Sequence, residues 1–583
     1  MTEHFEVLER DGPARHAELR LDPSIITPGL IDGRIVDAGS EWAREHSVPD
    51  PDMEVITIAP HRGLPPGTPE PIADAFSPTP VDIAGPSGTV IDPTQAGEYG
   101  ADVYVLSTAQ GLEGHARAFT EAIITTREAI PADTGLYVAG IATPANVAML
   151  AYAGVDLVDT VQARIAGSRG QYLTHHGMAH LDSLTELPCA CAACERGRPD
   201  FDRSDCMDHN VTVLRGELAT VRQRIRAGRL RDYVSAQCRH LPWLTGVLRR
   251  FDQERTYLEQ REPLYRQEEM AATTDDDLQR IAIQRFADRV MHRYQSRFSV
   301  PLVLLPCSAK KPYGESQSHK QFKRAIGYRG HRVSLSSPVG VVPQELECTY
   351  PAQHYDIPVT GRWSQAEQTF VRDLLATYLE TQSYPRIIAH VPPGPYRDIV
   401  TEATADIDIP VEWTVTDHPT TDESLETLEA ALDGESSYSR STRRLHTVQA
   451  VADYQFGPGA GDAFFANCRI EAPFPKHRVR DSEGTHLATL VPHYGLLALT
   501  IAGAERWEDS SVPVRHVLID DFVPHGNVLA PGIVDADDAI RPGDEVIVSG
   551  PSAFGIGRST MHGRALREST RGVAVDVRHV DER

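Results

Sequence analysis

Residues 299–323 read SVPLVLLPCSAKKPYGESQSHKQFK, and this stretch decides the fold. Its apolar, β-branched run at 300–305 predicts a buried strand, which Pro306 ends. The loop after that strand carries the reactive side chains of Cys307, Lys310, Lys311, Tyr313, Ser316 and His319. Open α/β sheets hold their ligands beyond the carboxyl ends of parallel strands. The stretch therefore predicts an α/β domain with its active site in this loop.

Lysine is rare in this chain and is concentrated in that loop. It occurs only at positions 310, 311, 320, 323 and 476, so Arg supplies the other 52 of the 57 basic residues. Arg keeps its charge in almost any environment, whereas a partly buried Lys amine changes its protonation state. A cluster of lysines beside Cys, Tyr and His therefore favours an active site over an ordinary solvated loop.

The composition describes a large acidic protein. A chain of 583 residues exceeds one hydrophobic core, so we expect about three to five domains. Asp and Glu number 82, which gives a net charge of −25 that is spread along the chain. Such a surface, with Arg in place of Lys, is typical of a high-salt cytoplasm, where ions screen the self-repulsion. We therefore expect a halophilic protein, whose net charge does not exclude nucleic acid.

The sequence predicts a cytoplasmic protein with no membrane partner. The N-terminal residues lack the basic and apolar regions of a signal peptide, and no stretch is long enough to span a bilayer. The eight cysteines favour metal binding or catalysis in a reducing compartment over disulfides.

The first part of the chain predicts a parallel sheet. Residues 1–100 are rich in Pro and Gly and predict short strands with long loops. From residue 101, strands at 103–107, 135–140 and 155–160 alternate with helices near 112–129 and 143–152, which indicates a barrel or part of one. Asp159 ends the last of these strands, where such barrels keep catalytic groups. A lone Asp there is also an ordinary cap or hydrogen-bond acceptor.

A cysteine cluster predicts a structural zinc site. Cys189, Cys191 and Cys194 are followed, fifteen residues after the last of them, by His209. Three thiolates and an imidazole satisfy the tetrahedral preference of Zn²⁺, and four protein ligands leave no open position for water. Cys206 is an alternative to His209 as the fourth ligand.

The rest of the chain predicts a helical extension and three further domains. We place the first domain at 1–268, an α/β catalytic domain at 299–415, a small α+β domain at 446–508 and a small β-barrel at 511–583. Within the α/β domain, Glu345, Glu347 and His354 lie in segments rich in polar and aromatic residues, which are candidates for holding a polar, planar substrate.

Several of these stretches together resemble the archaeosine synthases, which are paralogues of the archaeal tRNA-guanine transglycosylases. GVDLVDT at 154–160, the cysteine cluster with His209 and AGRL at 227–230 are similar to the transglycosylase sequence around its nucleophile and zinc site. The signature Pro306-Cys307, Lys311-Pro312-Tyr313, Ser316 and His319 resembles the one characteristic of the synthases. IRPGDE at 540–545 and RGVAVDV at 571–577 resemble the end of a PUA domain, an RNA-binding module.

The resemblance implies a substrate and a reaction. The substrate would be tRNA that carries 7-cyano-7-deazaguanine at position 15, and the enzyme would add an amine across the nitrile to give an amidine. Free lysine is the implied donor, with glutamine or ammonia as alternatives, and a radical-SAM partner enzyme would cleave the lysine adduct to archaeosine. The sequence leaves the oligomeric state open, and a homodimer is one of the states that it allows.

The resemblance also assigns a degenerate TIM-barrel-like domain to the first part of the chain. Asp159 matches the transglycosylase nucleophile, but no clear motif supplies the second carboxylate, and Asp82 is the nearest match. We therefore expect the barrel to bind tRNA without exchanging its base. Base exchange by Asp159, or a non-catalytic tRNA-binding scaffold, are the rival functions.

A nitrile is a weak electrophile, so both reactants need activation. Our hypothesis is that the Cys307 thiolate adds first, and that the amine then displaces it from a thioimidate. Tyr313 or His319 would transfer protons, and Lys311 would favour the thiolate or bind the donor's carboxylate. Glu345 and Glu347 would receive the donor's ammonium group. If Cys307 is structural instead, the amine attacks the nitrile directly.

Overall fold

A computed structural model describes residues 2–39, 50, 52–61, 69–75, 83–93, 100–107, 109–358, 362–472 and 476–583. Asp82 and much of the proline-rich region that predicts loops lie outside these ranges. The chain forms two compact units. The first contains residues 1–263, 528–541 and 560–574, and the second contains residues 264–527, 542–559 and 575–583.

The first unit combines an antiparallel sheet, a parallel sheet and a helical region. Its strands before residue 264 are β1 (Phe5–Asp11), β2 (Ala14–Leu19), β3 (Ile25–Thr27), β4 (Gly29–Leu30), β5 (Ile35–Asp37), β6 (Ile56–Ile58), β7 (Ser87–Ile91), β8 (Val103–Leu106), β9 (Gly135–Val138), β10 (Leu157–Val158), β11 (Gln171–Thr174) and β12 (Gly177–His180). Its helices there are α1 (Glu70–Ala75), α2 (Ala116–Ala129), α3 (Val147–Ala153), α4 (Val161–Ser168), α5 (Arg203–Arg226), α6 (Leu230–Gln237), α7 (Pro242–Gln253) and α8 (Arg255–Arg261).

The parallel sheet is a curled half-barrel. Its seven described strands follow the order β4-β10-β9-β8-β7-β6-β5, and every pair is parallel. Strands such as β9 are buried at each position, because helices and the β1-β2-β3 sheet cover the apolar side chains. The predicted barrel-like α/β fold is confirmed in this partial form.

The second unit is built around another parallel sheet. Its strands up to residue 519 are β13 (Met270–Ala271), β14 (Leu302–Pro306), β15 (His331–Ser336), β16 (Gly340–Pro343), β17 (Tyr355–Asp356), β18 (Ile387–Ala389), β19 (Val411–Trp413), β20 (Arg469–Glu471), β21 (His477–Arg480), β22 (His486–Val491), β23 (Leu496–Leu499) and β24 (His516–Ile519). Its helices are α9 (Ile281–His292), α10 (Gln317–Ile326), α11 (Gln365–Thr381), α12 (Pro395–Ala403), α13 (Asp422–Ala430), α14 (Arg440–Phe456), α15 (Ala460–Phe465) and α16 (Ile501–Glu508).

The predicted strand in the opening stretch is β14, the centre of this sheet. The order is β16-β15-β14-β18-β19, with β14 parallel to both of its neighbours and β16 antiparallel at one edge. All five residues of β14 are buried, because helices cover both faces of the sheet. A separate four-stranded sheet, β20-β21-β22-β23, packs with α14 and α16 and forms the small α+β part of the chain.

The last segment of the chain contributes to both units. It contains β25 (Val528–Leu529), β26 (Ile533–Ala536), β27 (Glu545–Gly550), β28 (Ala553–Ser559), α17 (Gly563–Glu568) and β29 (Val573–Glu582). In the second unit β24 pairs with β27 in parallel, and β27-β28-β29 form an antiparallel meander. Within the described ranges, no helix combines the length and apolar character that crossing a bilayer requires.

Candidate active site

Cys307 lies at the carboxyl edge of the central strand of the five-stranded sheet. After β14 the chain continues through α10 to β15 on one side, whereas β18 lies on the other side. Loops that leave two such neighbouring strands diverge and open a crevice between them. The segment after β14 that contains Cys307 and the segment after β18 that contains Tyr396 meet at this crevice.

A cavity of about 480 Å³ occupies the crevice. Its volume is within the usual range for small-molecule sites. Its lining includes Cys307, Lys311, Tyr396 and Trp363, and the rings of Tyr396 and Trp363 lie 4.7 Å apart between centroids. Asp275 also faces the cavity, where it accepts a hydrogen bond from Ser364 at 2.8 Å. The cavity thus brings a thiol, an amine, a phenol and a carboxylate around one space.

The thiol of Cys307 is paired with a phenol. Its Sγ lies 3.2 Å from the hydroxyl oxygen of Tyr396, which belongs to the first turn of α12. Burial raises the pKa of Tyr396, and the negative field of the Cys307 thiolate raises it further. The phenol therefore keeps its proton, and it can donate that proton's hydrogen bond to a thiolate at Cys307.

Lys311 lies in the same loop as Cys307, and its amine is half-buried. Its Nζ lies 3.9 Å from the centre of the Tyr355 ring, a cation–π distance. Burial lowers the pKa of Lys311, while the negative charges of Cys307 and Asp356 oppose that effect. The Tyr355 hydroxyl lies 2.6 Å from those of both Tyr313 and Ser336, and this buried chain holds the ring in place.

The other residues of the predicted signature shape the loop. His319 is 1% exposed, and its Nε2 donates to the carbonyl of Pro306 at 2.9 Å. Ser316 caps α10 by accepting from the backbone N–H of His319. Tyr313 is fully buried, and Lys310 is exposed, with its Nζ 3.7 Å from Glu315. None of these four side chains lines the cavity, so their catalytic roles stay predictions.

Glu345, Glu347 and His354 lie away from the Cys307 cavity. Glu345 is buried, and its carboxylate accepts from His331 at 3.1 Å. Glu347 accepts from the backbone N–H of Gly314 at 3.0 Å, and its carboxylate approaches Gly314 so closely that a side chain there would meet it at 2.6 Å. His354 packs edge-on against His493. The predicted substrate contacts of these three residues are untested by the structure.

Asp159 is held as a hydrogen-bond acceptor in the first unit. It is 4% exposed, and its Oδ2 accepts from the hydroxyl of Tyr137 and the N–H of Gly140, both at 2.7 Å. Its Oδ1 accepts from the N–H of Val161 at 2.9 Å. Three donors stabilise the carboxylate in place and compete with any role as a nucleophile.

Cys189, Cys191, Cys194 and His209 form a cluster suited to a metal ion. Their candidate ligand atoms all lie within 4.8 Å of one another. The Nδ1 of His209 is 3.5 Å from the sulfur of Cys191 and 3.4 Å from that of Cys194. Tetrahedral zinc with ordinary bond lengths gives about 3.6 Å between such atoms. The donor set therefore fits zinc, and the cluster includes His209 and not Cys206.

The surroundings of His209 orient it for this task. Its Nε2 donates to the carbonyl of Leu173 at 2.9 Å, which leaves Nδ1 directed at the cysteines. The ring of Tyr172 stacks on the imidazole at 3.8 Å between centroids. Asn210 binds the backbone N–H of Leu173 through its Oδ1 and so fixes the same strand. The cluster joins β11, the cysteine loop and α5 into one module.

The sequence did not assign roles to several residues of the cavity. Tyr396 and Trp363 are far from Cys307 in sequence, and the register of β14 against β18 brings the segment of Tyr396 to the thiol. The only sequence signal for Tyr396 is its position in the Pro-rich segment that follows a predicted strand. Asp275 gave no signal beyond its place in an acidic run at 275–277.

Four family models match successive parts of the chain. A model described as queuine tRNA-ribosyltransferase matches residues 94–242, and one described as a domain of unknown function, DUF5591, matches residues 283–432. The patch-forming domain C2 of tRNA-guanine transglycosylase matches residues 446–513, and the PUA domain matches residues 519–580. The Cys307 cavity is thus built largely from the DUF5591 match.

Several curated proteins are similar over most or all of their length. The archaeosine synthase of Haloferax volcanii is 55% identical over 585 residues, which covers 100% of both chains. The archaeosine synthase subunit alpha of Methanosarcina acetivorans is 41% identical, also over 100% of both chains. A tRNA-guanine(15) transglycosylase of Methanobrevibacter smithii is 26% identical over 77% of this chain and 67% of its own.

Proposed function

The chain belongs to the archaeosine synthase family, and from this premise we propose that it is a tRNA-modifying transferase that adds an amine to a nitrile. The substrate is tRNA bearing 7-cyano-7-deazaguanine at position 15, and the product is the corresponding amidine. Free lysine is the proposed donor, and a radical-SAM enzyme then converts the lysine adduct to archaeosine.

One observation carries the proposal: the thiol of Cys307 lies 3.2 Å from a protonated phenol inside a cavity of about 480 Å³. A nitrile carbon needs a nucleophile, and its nitrogen needs a proton as charge develops there. Cys307 and Tyr396 are in direct hydrogen-bond contact, so they can supply the nucleophile and the proton donor to one nitrile group. The aromatic wall of Trp363 offers a surface for a flat base.

The reaction balances in two steps. In the first, the Cys307 thiolate forms a carbon–sulfur bond with the nitrile carbon, and the nitrile nitrogen takes a proton from Tyr396 or Lys311, which gives a thioimidate. In the second, the donor's neutral amine adds to the same carbon, the carbon–sulfur bond breaks and the thiolate leaves. The amine's surplus proton returns to the group that gave one. The net change is addition of N–H across the carbon–nitrogen triple bond.

The cavity also contains charges that suit an amino-acid donor. Asp275 can receive an ammonium group, and Arg362, which also lines the cavity, can receive a carboxylate. Glu345 and Glu347 lie in a different cavity, so for them the predicted contact with the donor's ammonium group remains an alternative.

We propose that the cysteine cluster holds a structural Zn²⁺ through Cys189, Cys191, Cys194 and His209. A bound zinc ion with four protein ligands supplies folding energy and no open position for chemistry. Tyr172 and the Leu173 carbonyl orient His209 for it. Base exchange by Asp159 is not favoured, since three hydrogen bonds already engage that carboxylate.

The test is a single-turnover reaction of nitrile-bearing tRNA with isotopically labelled lysine, read by mass spectrometry of the tRNA. We expect the wild-type protein to add the mass of lysine, and the Cys307→Ala variant to lose at least about 100-fold of that rate, as when a nucleophile is removed. A mass adduct of the nucleoside on Cys307, trapped in the absence of lysine, would identify the thioimidate.

Cys468→Ala is the matched control, because Cys468 is another thiol of the same unit and lines neither the Cys307 cavity nor the second cavity of that unit. Its rate should equal that of the wild type. Substantial turnover by Cys307→Ala would show that the amine attacks directly. Absence of any lysine-dependent product from the wild type would overturn the proposed reaction.

A further inference from the structure

A second cavity in the second unit has a volume of about 820 Å³. Cationic side chains from three elements line it: Lys323 of α10, Arg332 of β15, and Arg440, Arg443 and Arg444 of the first turns of α14. We call this space the basic cavity. Its lining comes from the DUF5591 match, from the C2 match and from the segment between the two.

The basic cavity is an exception in a chain whose net charge is −25. Within the described part of the chain, no carboxylate oxygen lies within the 4.0 Å of an ion pair from the amine or guanidinium nitrogens of these five residues. Two carboxylates line the cavity, but Glu345 is engaged with His331 and Glu347 with the backbone of Gly314. Glu347 also attracts Arg332 and Lys323 across the cavity without forming an ion pair with either. With five cations and two carboxylates, the lining keeps an excess of positive charge.

Convergence of like charges costs free energy unless a bound anion compensates for it. Burial lowers the pKa of Arg443, and repulsion from Arg332 and Arg440 adds to that effect. The cavity is large enough for a nucleotide. Its shape and charge together indicate a polyanionic ligand.

Aromatic side chains beside the cations indicate which kind of anion the cavity binds. The guanidinium carbon of Arg443 lies 3.4 Å from the centre of the Tyr328 ring, and Tyr328 is 39% exposed. Tyr438 and His477 also line the cavity. Phosphate-binding cations interleaved with exposed aromatic and Arg planes are the pattern by which proteins bind unstacked RNA segments.

We propose that the basic cavity binds the sugar–phosphate backbone of the tRNA, at a site separate from the reaction cavity. The inference rests on the proposed function, which supplies tRNA as the substrate. A hydrogen bond connects the basic cavity to the Cys307 loop: Glu347 lines the basic cavity and accepts from the backbone N–H of Gly314, three residues after Lys311. RNA bound in the basic cavity therefore lies beside the loop that carries the reactive amine.

The test measures tRNA affinity of the Arg440→Gln/Arg444→Gln variant by fluorescence anisotropy across a KCl series in which the protein stays folded. Loss of two phosphate contacts should weaken binding about tenfold or more and lower the slope of log Kd against log salt by about 1.4 to 1.8. The Arg440→Lys/Arg444→Lys variant keeps both charges, so its slope should match that of the wild type.

Arg372→Gln/Arg386→Gln is the matched control, because it removes the same charge from surface arginines of the same unit that carboxylates already pair. Its slope should equal the wild-type slope. An unchanged slope in Arg440→Gln/Arg444→Gln, or an equal change in the control pair, would overturn the inference.

A parallel experiment with a mononucleotide distinguishes a binding site for RNA from one for a small anionic ligand. Calorimetric titration with AMP should give binding far weaker than that of tRNA. If the Gln variant loses tight AMP binding but keeps its tRNA slope, the cavity serves a small nucleotide and the inference fails. If the wild-type protein does not bind the tRNA at all, the proposed function itself fails. If the wild type binds the tRNA and the Gln variant keeps the wild-type slope, only the inference about the basic cavity fails.

Discussion

The proposed chemistry depends on the hydroxyl group of Tyr396. Tyr396→Phe removes the hydrogen bond to Cys307 Sγ and keeps the ring that packs on Trp363. A hydrogen bond to a charged partner contributes about 1.5–3 kcal/mol, so we expect the single-turnover rate to fall about 10- to 100-fold. The affinity for tRNA should not change.

Tyr233→Phe is a control for this substitution, because it removes a phenol that donates to Glu217 in the first unit. Its rate should equal that of the wild type. A rate for Tyr396→Phe within twofold of the wild-type rate would contradict the assigned role of the phenol.

Lys311 gives a prediction about pH. Burial lowers its pKa, so its ammonium group loses a proton at a lower pH than that of an ordinary lysine. If the positive charge of Lys311 stabilises the Cys307 thiolate, the rate falls as pH rises through this lowered pKa. Lys311→Arg keeps the positive charge to much higher pH. We therefore expect the alkaline limb of the pH–rate profile to move to higher pH in Lys311→Arg, and superimposed profiles would contradict the role.

At the scale of elements, the link between β14 and α10 contains a buried imidazole with a predictable pH effect. Burial lowers the pKa of His319 to about 4, whereas an unfolded His has a pKa near 6.5. Between these values the unfolded state binds more protons, so stability is present in full above pH 6.5 and declines as pH falls towards 4. At pH 5 the loss is about 2 kcal/mol.

His319→Gln should lack this pH dependence while it retains a donor for the Pro306 carbonyl. Hydrogen exchange of peptides that cover β14 and α10 measures the local free energy of opening at pH 7 and pH 5. Between pH 7 and pH 5, the local free energy of opening should fall by about 2 kcal/mol more in the wild type than in the variant. Equal losses would show that His319 is not the titrating group.

The cysteine module gives a prediction about metal removal. Chelation should lower the melting temperature of the first unit, because a structural zinc site contributes on the order of several kcal/mol to folding. Added Zn²⁺ should restore it. Cys191→Ser should lose the metal, while Cys206→Ser, which changes a neighbouring buried thiol outside the cluster, should keep it. Metal analysis of the three proteins measures this, and equal zinc contents would contradict the ligand set.

The sequence predicted the elements whose apolar pattern is local. β14 and the alternating strands and helices of the half-barrel were predicted within a few residues of their observed bounds. β15 was not predicted, because its buried positions include His331, Ser334 and Ser336, and a polar residue is buried only when partners elsewhere in the fold satisfy it. Tyr384 and Tyr355 are two of those partners.

The same limit applies to the candidate site. Cys307 and Lys311 were predicted because they share one short loop with an unusual composition. Tyr396 could not be assigned to the thiol, because the contact depends on β18 pairing with β14, which no local pattern specifies. The basic cavity was also not predicted, since its cations come from segments more than a hundred residues apart.

At the scale of the whole molecule, the net charge of −25 predicts salt-dependent stability. Self-repulsion of a dispersed acidic surface acts over about 10 Å at 0.1 M salt and over about 3 Å at 1 M. We expect the melting temperature to rise between about 0.1 M and about 1 M KCl. Scanning calorimetry measures this, and a melting temperature independent of salt would contradict the halophilic interpretation.

The two compact units share the final segment of the chain in alternating pieces: residues 528–541 and 560–574 belong to the first unit, and residues 542–559 and 575–583 belong to the second. During translation, neither unit can acquire all of its parts until the ribosome has released this segment. A premature stop near residue 510 would thus leave both halves with missing pieces and exposed apolar surface, as a target for proteolysis. Removing the PUA match by truncation would therefore damage the unit that contains the Cys307 cavity as well as any RNA contact.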